Sequence, residues 1–208
     1  MNEQAAIKVP LAIAVLAGGL SRRMGQDKSS VPLHGRPLIE HTLARLESLR
    51  QAHPDAPLMI IGNNSSAYAY LGVPVLPDVL PDRSSLGGLY SALWHSPAEH
   101  TLCVACDMPF LNALLLEHLI GLAEAAQAVV PRIGGRFETL HAVYNKTCLE
   151  PFREALAGRG LKISAALAGV QVRPVDEDEL RRFDPDLRSF ANVNTPEDLD
   201  RANRLPLE

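Results

Sequence analysis

Arg22, Arg23 and Lys28 concentrate positive charge within one short stretch, Leu16-Ala-Gly-Gly-Leu-Ser-Arg-Arg-Met-Gly-Gln-Asp-Lys28. Gly18 and Gly19 open that stretch and carry no side chain to hold a ligand away from the backbone. Exposed N–H groups beside clustered cations suit a polyphosphate, so the segment reads as a nucleotide site. Gly25-Gln26-Asp27-Lys28-Ser29 lacks the spacing of a Walker loop, and no Gly-x-Gly-x-x-Gly fingerprint opens a helix directly after Leu16. The competing reading is a surface connection with scattered charges. Glycines and cations coinciding at a strand's carboxyl end favour the nucleotide, and connections this long inside a compact domain usually carry function.

The second candidate is Asp107, in Cys106-Asp107-Met108-Pro109. It follows the apolar run Leu102-Cys103-Val104-Ala105 and precedes a proline that ends the strand. A carboxylate at the edge of an apolar core suits Mg²⁺, which takes one or two carboxylates plus waters and phosphate oxygens. An Asp before a proline can also simply begin a turn. Beside the cationic segment, the metal reading is preferred. Asp78, in Leu76-Pro77-Asp78, either meets a nucleotide donor group or caps a turn. Asn63 and Asn64 follow another strand-like run, and Asn192 and Asn194 flank Val193, on one face if that stretch is extended. His141, followed by Ala-Val-Tyr, reads as a packed strand residue. Gly134-Gly135-Arg136 is a candidate loop for an acidic second substrate.

These groups need strands to carry them. Ala12–Leu16 is a short apolar run covered on both faces, and strand-like and helix-like segments alternate after it. The next helix opens at Arg36-Pro37 and runs to about Arg50, with Leu38, Leu43, Leu46 and Leu49 on one face. Strands follow at Pro57–Ile61, Val73–Leu76, Thr101–Ala105, Ala128–Val130 and Leu140–Tyr144. Helices are expected around Ser65–Leu71, after Gly87-Gly88 through Trp94, and at Leu114–Ala126 and Thr147–Ala157, with Trp94 in the core. This order predicts an α/β fold with helices on both faces of a mostly parallel sheet, in one domain spanning residues 1–208. Ligands of such sheets bind beyond the carboxyl ends of the strands. The acidic run Asp176–Glu179 reads as a solvated helix start. Thr195 can cap a helix that opens at Pro196 with Glu197 and Asp198.

The 208 residues are 47% hydrophobic and 21% charged, enough for one substantial core. A net charge of −4 argues against general nucleic-acid binding. There is no basic segment followed by a hydrophobic core and cleavage site, and Pro10–Leu16 is too short an apolar stretch to span a bilayer. A soluble cytoplasmic protein with no nucleic-acid or membrane partner is expected. Three cysteines do not make a disulfide framework. Cys103 and Cys106 match C-x-x-C spelling, but residues three apart on a strand point to opposite faces, so both read as small apolar residues.

With the segment at 16–28, Cys106-Asp-Met-Pro109, Leu140-His-Ala-Val-Tyr144 and Phe190-Ala-Asn-Val-Asn-Thr-Pro-Glu-Asp-Leu199 assembled, the chain resembles the molybdenum cofactor guanylyltransferases, within the molybdopterin nucleotidyltransferases. The similarity runs from about Leu11 to Leu199. It implies a three-layer Rossmann-like nucleotidyltransferase fold and transfer of GMP from GTP to the terminal phosphate of Mo-molybdopterin, releasing pyrophosphate. It further implies that Leu16, Ala17, Gly18 and Gly19 hold GTP through the backbone and that Lys28 contacts its phosphates. Asp78 would contribute to GTP binding, Asp107 would bind both Mg²⁺ and GTP, and a polar contact falls at Gly62, Asn63 or Asn64. Arg22, Lys28 and Asp107 are the catalytic candidates. Implied protein partners are molybdenum-insertion proteins and molybdoenzyme chaperones. Family members usually carry Gly-Pro-Leu-x-Gly where this chain has Ser84-Ser85-Leu86-Gly87-Gly88, a departure at two expected backbone contacts. Alternatives are a molybdopterin cytidylyltransferase, transfer to another phosphorylated acceptor, and a non-catalytic nucleotide-binding protein.

Overall fold

The computed structural model describes residues 10–17, 28–80, 84–158 and 162–206, with Lys28 described by its backbone alone. Its centre is β1 (Leu11–Leu16), in which all six residues are buried. Leu11, Ile13 and Val15 join one apolar cluster and Ala14 and Leu16 a second, because successive side chains leave opposite faces of a strand. That double burial is why the run is apolar without alternation. A hairpin of β2 (Pro32–Leu33) and β3 (Arg36–Pro37) then leads into α1 (Leu38–Ala52). Arg36 and Pro37, expected at the helix start, pair with β2 instead, and the helix begins one residue later.

β4 (Leu58–Ile61), α2 (Ser65–Tyr68), β5 (Val75–Leu76), α3 (Ser84–His95) and β6 (His100–Ala105) follow. After them come α4 (Ala113–Gly121), β7 (Ala128–Ile133), β8 (Arg136–Phe137), β9 (His141–Asn145), α5 (Leu149–Ala157) and α6 (Ile163–Ala166). β10 (Val172–Asp176), α7 (Glu177–Leu180) and α8 (Pro196–Ala202) complete the order. Among the described residues the sheet has eight strands, seven of them in the order β10-β7-β9-β6-β1-β4-β5, with β8 paired to β7. β1 runs parallel to β4 and β6, β4 to β5, and β10 to β7, while β9 is antiparallel to both its neighbours. α1 and α4 cover one face through Ile39, Leu46, Leu49, Leu115, Leu116 and Leu119. α3, α5 and α6 cover the other through Leu86, Leu89, Leu93, Phe152, Leu156 and Ile163. The three-layer α/β expectation holds.

Two expectations are corrected. Gly87 and Gly88 lie inside α3, which starts at Ser84. The missing side chain at Gly88 lets the helix lie against β1, since a Cβ there would stand 3.3 Å from Leu16 Cδ2. Trp94 is 56% exposed and stacks beside Tyr90 instead of entering the core. Leu86, Leu89 and Leu93 occupy the inward face of α3, and Trp94 sits one residue, about 100°, around from it. Cys103 and Cys106 fall in the two opposite clusters, as strand geometry requires.

Candidate active site

The sheet reverses its winding at β1: the chain moves outward through β4 and β5 on one side, then returns to place β6 on the other. At such a switch point the connections after adjacent strands diverge and leave a crevice beyond their carboxyl ends. Register aligns those ends. Leu16 stands opposite Ile61 of β4 and Ala105 of β6, and Ile61 stands opposite Leu76 of β5. One or two residues beyond this row lie Ala17, Gly62 and Asn63, Asp78, and Asp107. The sequence candidates from four separate strands therefore share one rim. Gly18, Gly19 and Arg22 lie outside the described residues. Lys28 opens the short 3-10 helix Lys28–Ser30, next to α1.

Asp107 is held by three elements. Cys106 N–H donates to the Leu16 carbonyl at 3.1 Å, tying the turn to β1. The buried Thr42 hydroxyl of α1 shares its one proton among the Cys106 carbonyl at 3.1 Å and the Met108 and Leu38 carbonyls at 3.3 Å, which ties the turn around Asp107 to α1. Val193 N–H, from the segment before α8, donates to the Asp107 carbonyl at 3.0 Å. This last bond accounts for the tail motif. The Thr195 hydroxyl caps the helix and Asp198 returns a carboxylate to the Asn194 and Thr195 N–H groups, which fixes Val193 where it reaches the turn. Residues 191–194 form no strand, so the shared strand face expected for Asn192 and Asn194 does not arise. The Asn192 carbonyl oxygen Oδ1 is buried with no hydrogen-bond partner among the described residues.

Asn63 and Asp78 face each other across the ends of β4 and β5. Asn63 Nδ2 donates to Asp78 Oδ2 at 2.9 Å, and the Asp78 N–H donates to Asn63 Oδ1 at 2.9 Å. Asn64 instead turns to α2 and accepts from Ala67 N–H as its cap. Of the two asparagines, Asn63 therefore points along the rim. Ala17 is more committed than the sequence implies: its N–H donates to the Ile61 carbonyl and its carbonyl accepts from Tyr68 Oη. The N–H of Ala17 is thus used inside the protein.

Sequence reading passed over Thr42 and Tyr68. Thr42 interrupts the apolar face of α1 between Leu38 and Leu46, a polar residue at a core position, and that was a usable signal. Tyr68 resembled any other core aromatic. His141 is buried beside Val104, stacks on Phe190 at 4.4 Å, and has no hydrogen bond at either ring nitrogen among the described residues. Burial lowers its pKa to about 4 against the opposing charge of Asp184, so the ring is neutral at pH 7. Gly134 and Gly135 have φ of 54° and 77°, the left-handed pair that a two-residue hairpin between β7 and β8 demands. Burial raises the Cys103 thiol and pushes Cys148 up to about 12, which disfavours the thiolates that redox or zinc chemistry needs.

Among the described residues, no group of three or more His, Cys, Asp or Glu is assembled for a metal. The acidic donors on the rim are hard carboxylate oxygens, those of Asp107 and Asp78. That set fits Mg²⁺ completed by waters and phosphate oxygens, and does not fit a thiolate-bound metal. No helix of the described residues is long and apolar enough to cross a membrane.

The mostly parallel sheet with a switch-point crevice and polar rim is the architecture of Rossmann-like nucleotidyltransferases. The model of the MobA-like NTP transferase domain family matches residues 13–172, and the chain belongs to that family. A probable molybdenum cofactor guanylyltransferase of Natranaerobius thermophilus is 34% identical over 93% of this chain and 95% of its own. A molybdenum cofactor guanylyltransferase of Desulfosudis oleivorans is 33% identical over 90% of this chain and 92% of its own. The crystal structure of molybdopterin-guanine dinucleotide biosynthesis protein A from Archaeoglobus fulgidus superposes with a TM-score of 0.80. It is 31% identical and covers 93% of this chain and 97% of its own.

Proposed function

We propose that this protein transfers GMP from GTP to the terminal phosphate of molybdopterin carrying molybdenum, releasing pyrophosphate. The observation that carries the reading is the single rim formed by Ala17, Asn63, Asp78 and Asp107, from four strand ends, in a chain of the MobA-like family. An oxygen of the acceptor phosphate attacks the α-phosphorus of GTP, and the bond to the β-phosphate oxygen breaks, so pyrophosphate leaves with the electron pair. A phosphate monoester is already ionised near neutral pH, so no strong general base is needed. The work left to the protein is alignment of two anions and neutralisation of the charge that develops on the leaving group. Lys28 and Arg22 supply cations for the triphosphate and Gly18 and Gly19 the backbone N–H groups, while Leu16 and Ala17, whose polar groups are used inside the protein, set where that backbone begins. Asn63 and Asp78 meet the nucleoside, with the Asn63–Asp78 pair fixing the direction of each polar group. Asp107 would hold Mg²⁺, which supplies Lewis-acid charge neutralisation at the phosphate oxygens when bound.

The test is turnover of α-labelled GTP with Mo-molybdopterin and Mg²⁺, scoring label in the acceptor and free pyrophosphate. Label transfer from GTP, with CTP at least ~10-fold poorer, is expected for a discriminating base site. Clear preference for CTP would transfer the assignment to a cytidylyltransferase. No transfer from either nucleotide would reject the reaction.

A further inference from the structure

The Tyr68 hydroxyl joins two points far apart in the chain. Its oxygen lies 3.1 Å from the Ala17 carbonyl oxygen and 2.9 Å from Ser29 Oγ. A carbonyl oxygen can only accept, so the tyrosine hydroxyl donates to Ala17. The 2.9 Å bond between the Ser29 and Tyr68 hydroxyls, in which either can donate, completes a chain of contacts Ser29–Tyr68–Ala17. Tyr68 and Ser29 are both buried, at 2% and 1% exposure, where such bonds are shielded from competing water. Tyr68 also closes α2, whose start is capped by Asn64 directly after the rim residue Asn63. Gly62 lies alongside both partners: a Cβ there would be in ordinary contact, 3.5 Å, with Tyr68 Cε2 and with the Ala17 carbonyl oxygen.

Ala17 is where the chain leaves β1, and Ser29 directly follows Lys28 in the 3-10 helix Lys28–Ser30. One hydroxyl therefore sets the spacing between the rim at Ala17 and the backbone that carries Lys28. We propose that Tyr68 is a positioning residue for the triphosphate contact, acting through Lys28 and Ala17 and not by touching substrate itself. This rests on the reading that Lys28 engages GTP.

The experiment compares Tyr68→Phe, which keeps the ring and deletes only the hydroxyl, and Ser29→Ala with the unaltered protein. GTP binding is measured by calorimetry, and KM and kcat are measured separately for GTP and for Mo-molybdopterin. Tyr68→Phe is expected to raise Kd and KM for GTP about tenfold, with KM for the acceptor within about twofold of the unaltered protein. Ser29→Ala is expected to move the same constants in the same direction by less, and the double variant to match Tyr68→Phe alone, because both substitutions break the same chain of bonds. If Tyr68→Phe does not fold, Ser29→Ala carries the test alone, and an unchanged GTP constant there overturns the proposal. GTP constants unchanged in a folded Tyr68→Phe protein overturn it too. So does a lowered Tm with every kinetic constant otherwise intact, which would mark a purely structural contact. If the unaltered protein itself binds no GTP, the functional reading fails and this inference falls with it; normal GTP binding with an indifferent Tyr68→Phe sinks this inference alone.

Discussion

The side chains that hold the site are as informative as those proposed to do its chemistry. The place of Asp107 at a strand's carboxyl end was legible in the sequence because it stands between an apolar strand and Met108-Pro109. The hydroxyls that hold the rim were not, because their partners are backbone carbonyls distant in the chain: Thr42 reaches the Cys106 and Met108 carbonyls and Tyr68 reaches that of Ala17. Thr42→Val keeps the shape and removes the buried donor shared among the Leu38, Cys106 and Met108 carbonyls. It is expected to cost about 1–2 kcal/mol, read from denaturant unfolding, and Thr42→Ser is expected to recover most of it. On the proposed reaction, Lys28→Ala removes a cation from the phosphates and Asp107→Ala removes the carboxylate proposed to hold Mg²⁺. Each is expected to lower turnover at least ~10²-fold with little change in Tm, and near-normal turnover in either would refute the role given to that residue.

Among the elements, the sequence located most strands and helices but not what their ends do. The Thr195-Pro196-Glu197-Asp198 start of α8 was readable from capping chemistry, and a capping box is found there. Its use was not readable, since the bond from Val193 to the Asp107 carbonyl joins segments that only the tertiary fold brings together. Thr195→Ala should cost about 1 kcal/mol through loss of the cap. It should also lower turnover, because the cap positions Val193; a drop in Tm with unaltered turnover would separate α8 from the site. The helix expected after Gly87-Gly88 begins at Ser84 and runs through both glycines. Gly88 permits close approach to Leu16, a tertiary gain that outweighs the weak helix propensity of glycine. Trp94 was misread: large apolar residues attract a core assignment, but the helix's own period turns this one outward.

At the scale of the molecule, alternating elements specified the layers and the carboxyl-end location of the crevice. They did not specify that β9 inserts antiparallel between β6 and β7, because nothing local distinguishes a neighbour from a next-but-one strand. That insertion buries His141 beside the end of β6 and sets a pH dependence for the whole fold. Its folded pKa of about 4 lies below the ordinary 6.5, chiefly through burial. The unfolded chain therefore binds a proton first as pH falls. The stabilisation is complete above about pH 6.5 and is lost progressively as pH drops toward 4. Between pH 7 and pH 5 this residue is expected to remove about 2 kcal/mol, seen as a falling denaturation midpoint. His141→Phe, which can still stack on Phe190, should flatten that slope, and an unchanged slope would assign the effect to other groups.

The central claim is that one crevice, beyond the carboxyl ends of β1, β4, β5 and β6, grips a nucleoside triphosphate. A crystal structure of the protein with GTP and Mg²⁺ tests it most directly. The account predicts the triphosphate alongside Ala17 with Lys28 on its oxygens, the metal on Asp107, and the nucleoside against Asn63 and Asp78. Nucleotide density elsewhere on the molecule, with Lys28 and Asp107 facing no common ligand, would contradict it.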